Sequence, residues 1–279
     1  MTALTFTLVV AAMAALAGFL GALTGLGGGV VIVPALALAL GVDIKYAIGA
    51  SLVSVIATSS GAAAAYVREG YSNIRVGMFL EIATTVGALV GAILATHMTT
   101  HVIAIIFGFV LVQAAYQSLF KAEPESIGPT KSDALAAKLR LQGCYPVESK
   151  MQEYGVRNVP AGFGLMFGAG ALSGLLGIGS GALKVIAMDR LMKIPFKVST
   201  TTSNFMIGVT AAASAGVYLS RGYIDPRVAM PVTLGVLLGA FVGSRVLIRA
   251  RVRTLRIVFG CVVLALAVEM ILNGALGKI

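Results

Sequence analysis

Runs of about twenty apolar residues recur along this chain, and they leave it few choices of fold. Leu4–Leu23, Ala47–Val67, Val76–Thr96, Val228–Leu247 and Ile257–Leu272 are each interrupted by at most one Glu or Arg. Twenty residues of helix reach about 30 Å, the thickness of a bilayer's hydrocarbon core. Only 11% of the 279 residues are charged, and mean hydropathy is +0.96. Soluble domains carry about 25% charged residues, so this chain could not cover its own surface in water. The net charge of +10 would point to nucleic acid in a soluble protein. In a spanning protein it points instead to loops that collect Lys and Arg on one side, and no nucleic-acid partner is expected. Met1–Ala22 carries no basic stretch ahead of its apolar run, so it reads as a retained first span. Cys144 lies in a polar linker and Cys261 in an apolar span, so no disulfide is expected.

A shift of 152 residues superimposes the two halves without a gap. Gly18 falls on Gly170, and Gly25, Gly27 and Gly29 fall on Gly177, Gly179 and Gly181. Lys45, Ser51, Tyr66 and Arg75 fall on Lys197, Ser203, Tyr218 and Arg227, and Gly87 and Gly91 on Gly239 and Gly243. Coincident Ala and Leu prove little in apolar helices, but glycines, tyrosines and basic residues at one offset mark a duplication. Internal repeats of this kind are typical of secondary transporters. The expected organisation is a first transmembrane repeat at 1–120, a linker or cap at 121–158 and a second repeat at 159–279. Each repeat should hold five helical segments, near 3–23, 29–41, 46–67, 74–97 and 101–120, then 160–176, 181–193, 198–220, 226–248 and 253–276. The linker should carry a helical piece near Ser132–Leu141 and a hairpin around Glu148–Lys150.

Charge sets the expected topology. If all ten segments cross, sixteen basic residues face one side and four the other. If the short second segments are re-entrant, the split is about nine to eleven, and only the first pattern has the expected asymmetry. The fold expected is therefore an all-α integral membrane protein of about ten helical segments, built as two inverted five-helix repeats with glycine-broken short helices. Both termini lie outside and the linker lies in the cytoplasm, in a multi-pass protein of the cell (inner) membrane.

The glycine breaks are the first candidate for chemistry. Leu23-Thr24-Gly25-Leu26-Gly27-Gly28-Gly29 pairs with Leu176-Gly177-Ile178-Gly179-Ser180-Gly181. Glycines this dense hold a helix poorly, each losing about 1 kcal/mol relative to Ala. Irregular backbone at membrane depth is tolerated only against protein or a polar cavity. The helix that follows each break aims its partly positive N-terminus there, and two inverted copies bring two such ends together, a geometry suited to an anion. The alternative is that the glycines only let helices pack closely. No Walker loop or dinucleotide motif is present.

Lys184 follows the second break by three residues in an apolar context. It could neutralise a bound anion, pair with Asp189, or snorkel to an interface. Ser51, Ser203 and Asn204 open the third helix of each half and could donate hydrogen bonds to a substrate; hydroxyls bonded back to their own helix are the other reading. Glu81 and Glu269 have no carboxylate equivalents in the other half, where Thr233 and Gln117 stand. Either could carry a coupling proton, or meet an interfacial Arg near a helix end. His97 and His101 share i,i+4 spacing but have no acidic or thiol neighbour in sequence, so no metal and no cofactor is expected. The small-xxx-small pairs Gly87/Gly91 and Gly239/Gly243 read as packing faces between helices or between the subunits of a homodimer.

These motifs resemble those of the TauE/SafE family of membrane transporters, also called sulfite exporters. The likeness rests on GLGGGVVIVP at 25–34, GIGSGALKVIAMD at 177–189, TTSNFMIGVTAAASAGVY at 201–218 and Arg-Gly-Tyr at 221–223. The family pattern has a glycine where Ser180 stands and a proline where Ile186 stands. The resemblance implies export or movement of small sulfur-containing or organic anions, with protons as a candidate coupling ion. The site expected comprises Gly25, Gly27, Gly28, Gly29, Ser51, Gly177, Gly179, Ser180, Gly181, Lys184, Ser203 and Asn204, with Glu81 and Glu269 for protons. The reading is a non-enzymatic secondary transporter working by alternating access; an anion channel and a non-transporting scaffold are the alternatives.

Overall fold

The structure, a computed structural model, describes residues 3–24, 28–68, 72–120, 132–147, 150–247 and 252–277. Gly25 and Gly27, in the first break, lie outside the described residues. The first half contributes α1 (Ala3–Thr24), α2 (Gly29–Pro34), α3 (Ile44–Arg68), α4 (Ile74–His97) and α5 (Thr100–Phe120). The linker holds α6 (Ala134–Lys138) and the antiparallel strands β1 (Gly143–Val147) and β2 (Lys150–Tyr154). The second half contributes α7 (Val159–Leu176), α8 (Gly181–Ile186), α9 (Phe196–Ser220), α10 (Pro226–Leu247) and α11 (Val252–Ala275).

Local chemistry sets the helix ends. The Asn73 side chain accepts from Val76 N–H and caps α4, and Asp133 caps α6 in the same way. Gly177 closes α7 at φ +67°, the left-handed value that glycine adopts without a Cβ clash. The short second helices are prolonged by π-helical turns, Ala35–Ala39 and Ala187–Leu191. They end alike: Val42 N–H donates to the Leu36 carbonyl and Ile194 N–H to the Met188 carbonyl, positions exactly one repeat apart in number. Gly41 and Lys193, also equivalent, both have positive φ.

Among the described residues, six helices are long and apolar enough to cross a membrane: Leu4–Gly21, Ile74–His97, Thr100–Leu119, Val159–Leu176, Pro226–Gly243 and Ile257–Ala275. The central pair, α3 and α9, has 25 residues each, about 37 Å of helix. Those two carry the hydroxyls inward: Ser51, Ser54, Thr202, Ser203, Thr210 and Ser214 are buried. Large apolar side chains point outward instead, among them Leu16, Met78, Ile82, Phe109, Leu238 and Phe241. Polar inside and apolar outside is the pattern lipid imposes, and the chain is a multi-pass all-α membrane protein.

Glycines bring the helices into backbone contact across the halves. A Cβ on Gly87 of α4 would strike the Phe167 carbonyl of α7, and a Cβ on Gly239 of α10 would strike the Ala15 carbonyl of α1. Gly170 meets Thr84, and Gly18 meets Val236. Each member of these pairs of contacts becomes the other when the halves are exchanged by 152 residues. The same holds for Gly108 against Ile271 and Gly260 against Leu119. α1 runs parallel to α10, with Ala11 at Gly235 and Ala15 at Gly239, whereas α5 runs antiparallel to its own equivalent α11.

The linker is seated on the helices. Ala136, Leu141, Tyr154 and Val156 join one apolar cluster with Val76, Leu80, Met166 and Met188. A piece this small cannot build a core of its own, so it borrows one.

Candidate functional site at the glycine breaks

The two breaks meet. Ser51, on the first half's α3, donates to the Gly177 carbonyl in the second half's break at 2.8 Å. A Cβ on Gly29 would lie 2.7 Å from Ser51 Oγ and 3.1 Å from that same carbonyl. Gly28 sits against Val236, where a Cβ would come within 3.0 Å of the side chain. Gly179, at φ +71°, lies between Val55 of α3 and its equivalent Ile207 of α9. Ser203 donates to the Gly181 carbonyl at 3.3 Å, and a Cβ on Gly181 would be 2.7 Å from Ile207. The glycines are needed here because an added Cβ would press on the Ser51, Val55, Ile207 or Val236 side chains or on the Gly177 carbonyl.

Ser180 holds a left-handed conformation at φ +43° that a non-glycine residue adopts at a cost of order 1 kcal/mol. Its hydroxyl donates to the Ala169 carbonyl at 2.6 Å, which pins the turn to α7. The equivalent Gly28 has φ −65°, so the two breaks differ in backbone shape as well as in sequence.

One turn beyond the breaks lies a buried polar cluster. Lys184 is fully buried, and its Nζ donates to Thr210 Oγ1 on α9. Thr210 Oγ1 lies 2.7 Å from Glu81 Oε1 on α4, within donating distance, and Thr85 donates to the same oxygen at 3.2 Å. Glu81 Oε2 is buried without a hydrogen-bond partner. The cluster crosses the halves, with Glu81 from the first and Lys184 and Thr210 from the second. Ser203, Ile207 and Thr210 share one face of α9, at i, i+4 and i+7, so the break and the cluster form one continuous stripe.

Residues 10–270, nearly the whole chain, match the family described as "Sulfite exporter TauE/SafE". The chain belongs to that family. It is similar to the protein named "Probable membrane transporter protein YunE" of Bacillus subtilis, 25% identical over 266 residues, covering 93% of this chain and 95% of the relative. "Probable membrane transporter protein YjnA" of the same organism is 28% identical over 264 residues, covering 91% and 95%. No solved structure matches the chain.

In this TauE/SafE protein the expected site residues that the structure describes do not all come together. Gly28, Gly29, Ser51, Gly177, Gly179, Ser180, Gly181, Ser203 and Lys184 gather at the junction of the halves. Asn204 stands half-buried beside Ser203, outside the hydrogen bonds described for the break. Glu269 is on the exposed face of α11, away from the cluster. Glu81 sits two turns inside α4 with Thr210 and Thr85, not at a helix end beside an Arg. Lys184, being fully buried, does not snorkel. Thr210 is the residue that sequence reasoning missed. Its signal was present: two unpaired charges in apolar helices require a polar bridge, and Thr210 lies seven residues after Ser203.

At the other end of α4, Asn73 links the linker to the helices. Its Nδ2 donates to Tyr154 Oη at 2.7 Å and its backbone N–H to Thr202 Oγ1 at 3.0 Å. Burial pushes the Tyr154 hydroxyl up to about 12, with the Asn73 hydrogen bond acting in the opposite direction. Arg75 and Arg140 line a cleft of about 720 Å³ beside this joint, together with Asn73, Gln142 and Cys144.

Proposed function

We propose that this protein is a secondary transporter, an exporter, of small anions of the sulfite or organosulfonate type, working by alternating access. The observation that carries the reading is Lys184: a fully buried lysine among apolar helices, beside a double glycine break, in a family of membrane transporters. Ionisable groups within membrane-spanning segments are expensive and are kept mainly where they handle ions or substrates. The anion binds where Gly28–Gly29 and Gly177–Gly181 meet, between the N-terminal ends of α2 and α8, with Ser51 and Ser203 as hydroxyl contacts and Lys184 as the counter-charge.

The two repeats are inverted in the membrane. The antiparallel run of α5 against its equivalent α11 supports this, because two equivalent spans point in opposite directions only if each repeat crosses an odd number of times. The charge asymmetry of the loops supports the same arrangement, with both termini outside and the linker cytoplasmic, in the inner membrane. The Arg75–Arg140 cleft then opens on the cytoplasmic side and draws anions toward the helices. Rocking of one repeat against the other moves the binding place from one face to the other.

Reconstituted protein should drive saturable flux of sulfite or a sulfonate into or out of vesicles. Gly28→Leu and Lys184→Ala should abolish it in protein that remains folded. Undiminished flux in both folded variants would refute the site.

A further inference from the structure

The Lys184–Thr210–Glu81 cluster has two properties that a static ion pair does not need. Thr210 has one hydroxyl hydrogen and two acceptors within reach, Glu81 Oε1 at 2.7 Å and the Met206 carbonyl at 2.9 Å. Glu81, 8% exposed, has one oxygen bonded and the other, Oε2, buried with no partner. A desolvated carboxylate oxygen without a donor is costly. Taking up a proton replaces the buried charge with a neutral carboxyl, which lowers that cost, and leaves Thr210 free to turn to Met206.

Charge completes the argument. Lys184 and Glu81 cancel while nothing is bound. An anion drawn to Lys184 would leave Glu81 as a second negative charge in a medium of low dielectric, where repulsion is strong. Among the described residues, none of the titratable groups on the elements around the cluster is placed to relieve it. α7, packed along α4, carries none between Val159 and Leu176. On α9, Lys197 and Tyr218 are about 20 Å and about 12 Å along the helix from Thr210. Arg75 and His97 stand near the two ends of α4, and Asp189, with Arg190 beside it, is five residues past Lys184. The equivalent positions in the other half are Ile32, Thr58 and Thr233, which cannot titrate, so the device exists once per molecule.

We propose that each anion bound at the breaks is accompanied by one proton on Glu81, with the Thr210 hydroxyl, which links Lys184 to the carboxylate, as the switch that releases Lys184 to the anion. This rests on the anion reading given above. Anion and proton then cross together, in the same direction, and a monovalent anion moves as a neutral pair.

The test is calorimetric titration of the purified full-length protein with methanesulfonate, isethionate and sulfate, whose charges stay constant from about pH 5 to about pH 8, a range in which a carboxyl can titrate. Repeating each titration in buffers of different ionisation enthalpy counts the protons taken up. The wild type should take up one proton per anion near neutral pH, and its affinity should rise about tenfold for each pH unit lost. Glu81→Gln, neutral and of the same shape, should bind at the acidic wild-type affinity with no proton uptake and no pH dependence. Binding by the wild type without proton uptake overturns the coupling and leaves the anion site standing. Failure of the wild type to bind any of the three at any pH overturns the anion site and the coupling with it.

Discussion

The two halves of this molecule share a backbone plan, differ in the local shape of their breaks, and differ most in the charge of one cluster. In the second half Lys184 reaches Thr210, which lies within hydrogen-bonding distance of Glu81 from the first half. At the equivalent place stand Ile32, Thr58 and Thr233; Thr58 and Thr233 donate to carbonyls of their own helices, and Ile32 is packed in the core. Several packing contacts around it recur on both sides: Gly18 on Val236 answers Gly170 on Thr84, and Gly108 on Ile271 answers Gly260 on Leu119. Packing was kept alike on both sides of the duplication while charge was placed on one. Helix packing therefore explains the symmetric glycines, and it does not explain Lys184 and Glu81.

That contrast can be broken most sharply by removing one charge. Lys184→Met leaves Glu81 buried and unpaired and should destabilise the detergent-solubilised protein by about 3–5 kcal/mol. Ile32→Met, the same side chain at the equivalent site, should cost under about 1.5 kcal/mol. Adding Glu81→Gln to Lys184→Met should recover most of the loss, a coupling that a double-mutant cycle in denaturant unfolding measures. Equal losses at positions 184 and 32 would remove the asymmetry on which the functional reading stands.

The bridging hydroxyl gives a smaller contrast of the same kind. Thr210→Val strands two buried polar partners and should cost about 1–3 kcal/mol. Thr58→Val removes a hydroxyl bonded only within its helix and should change stability by about 0.5 kcal/mol or less. The symmetric part of the comparison predicts the reverse outcome, equality. Gly18→Ala and Gly170→Ala both force a methyl into a facing carbonyl, so their melting temperatures should fall together.

The smallest effect concerns the linker, which has no counterpart in the repeat. Tyr154 titrates higher in the folded state, at about 12 rather than 10.0. Its contribution is complete below pH 10 and is lost as pH rises toward 12. Hydrogen exchange across β1 and β2 should therefore quicken over that window, and Tyr154→Phe should flatten the change.

Much of this architecture was legible in the residues. Apolar run length fixed the helices, and α4, α7 and α10 begin and end within a residue or so of where the sequence placed them. The glycine breaks were found because matched glycines at one offset are rare. The expectation for Glu81 divided between a coupling proton and an interfacial Arg because sequence does not say which face of a helix meets which neighbour. Thr210 was passed over for a related reason: a Thr in an apolar helix usually bonds to its own backbone, as Thr58 does, and only the approach of α4 to α9 gives it another task. The topology remains testable apart from the site. Cysteines placed at Ser126 and Tyr223 should label from opposite sides of the membrane, and labelling from one side would refute the inversion.

The central claim is that the charged cluster serves transport and not folding. The doubly neutral Glu81→Gln/Lys184→Met variant separates the two, since it removes both charges without leaving either unpaired. Proteoliposome flux of sulfite or a sulfonate is the direct measurement. The account predicts a folded, near wild-type-stable double variant with no saturable flux; a folded double variant that transports at the wild-type rate would contradict it.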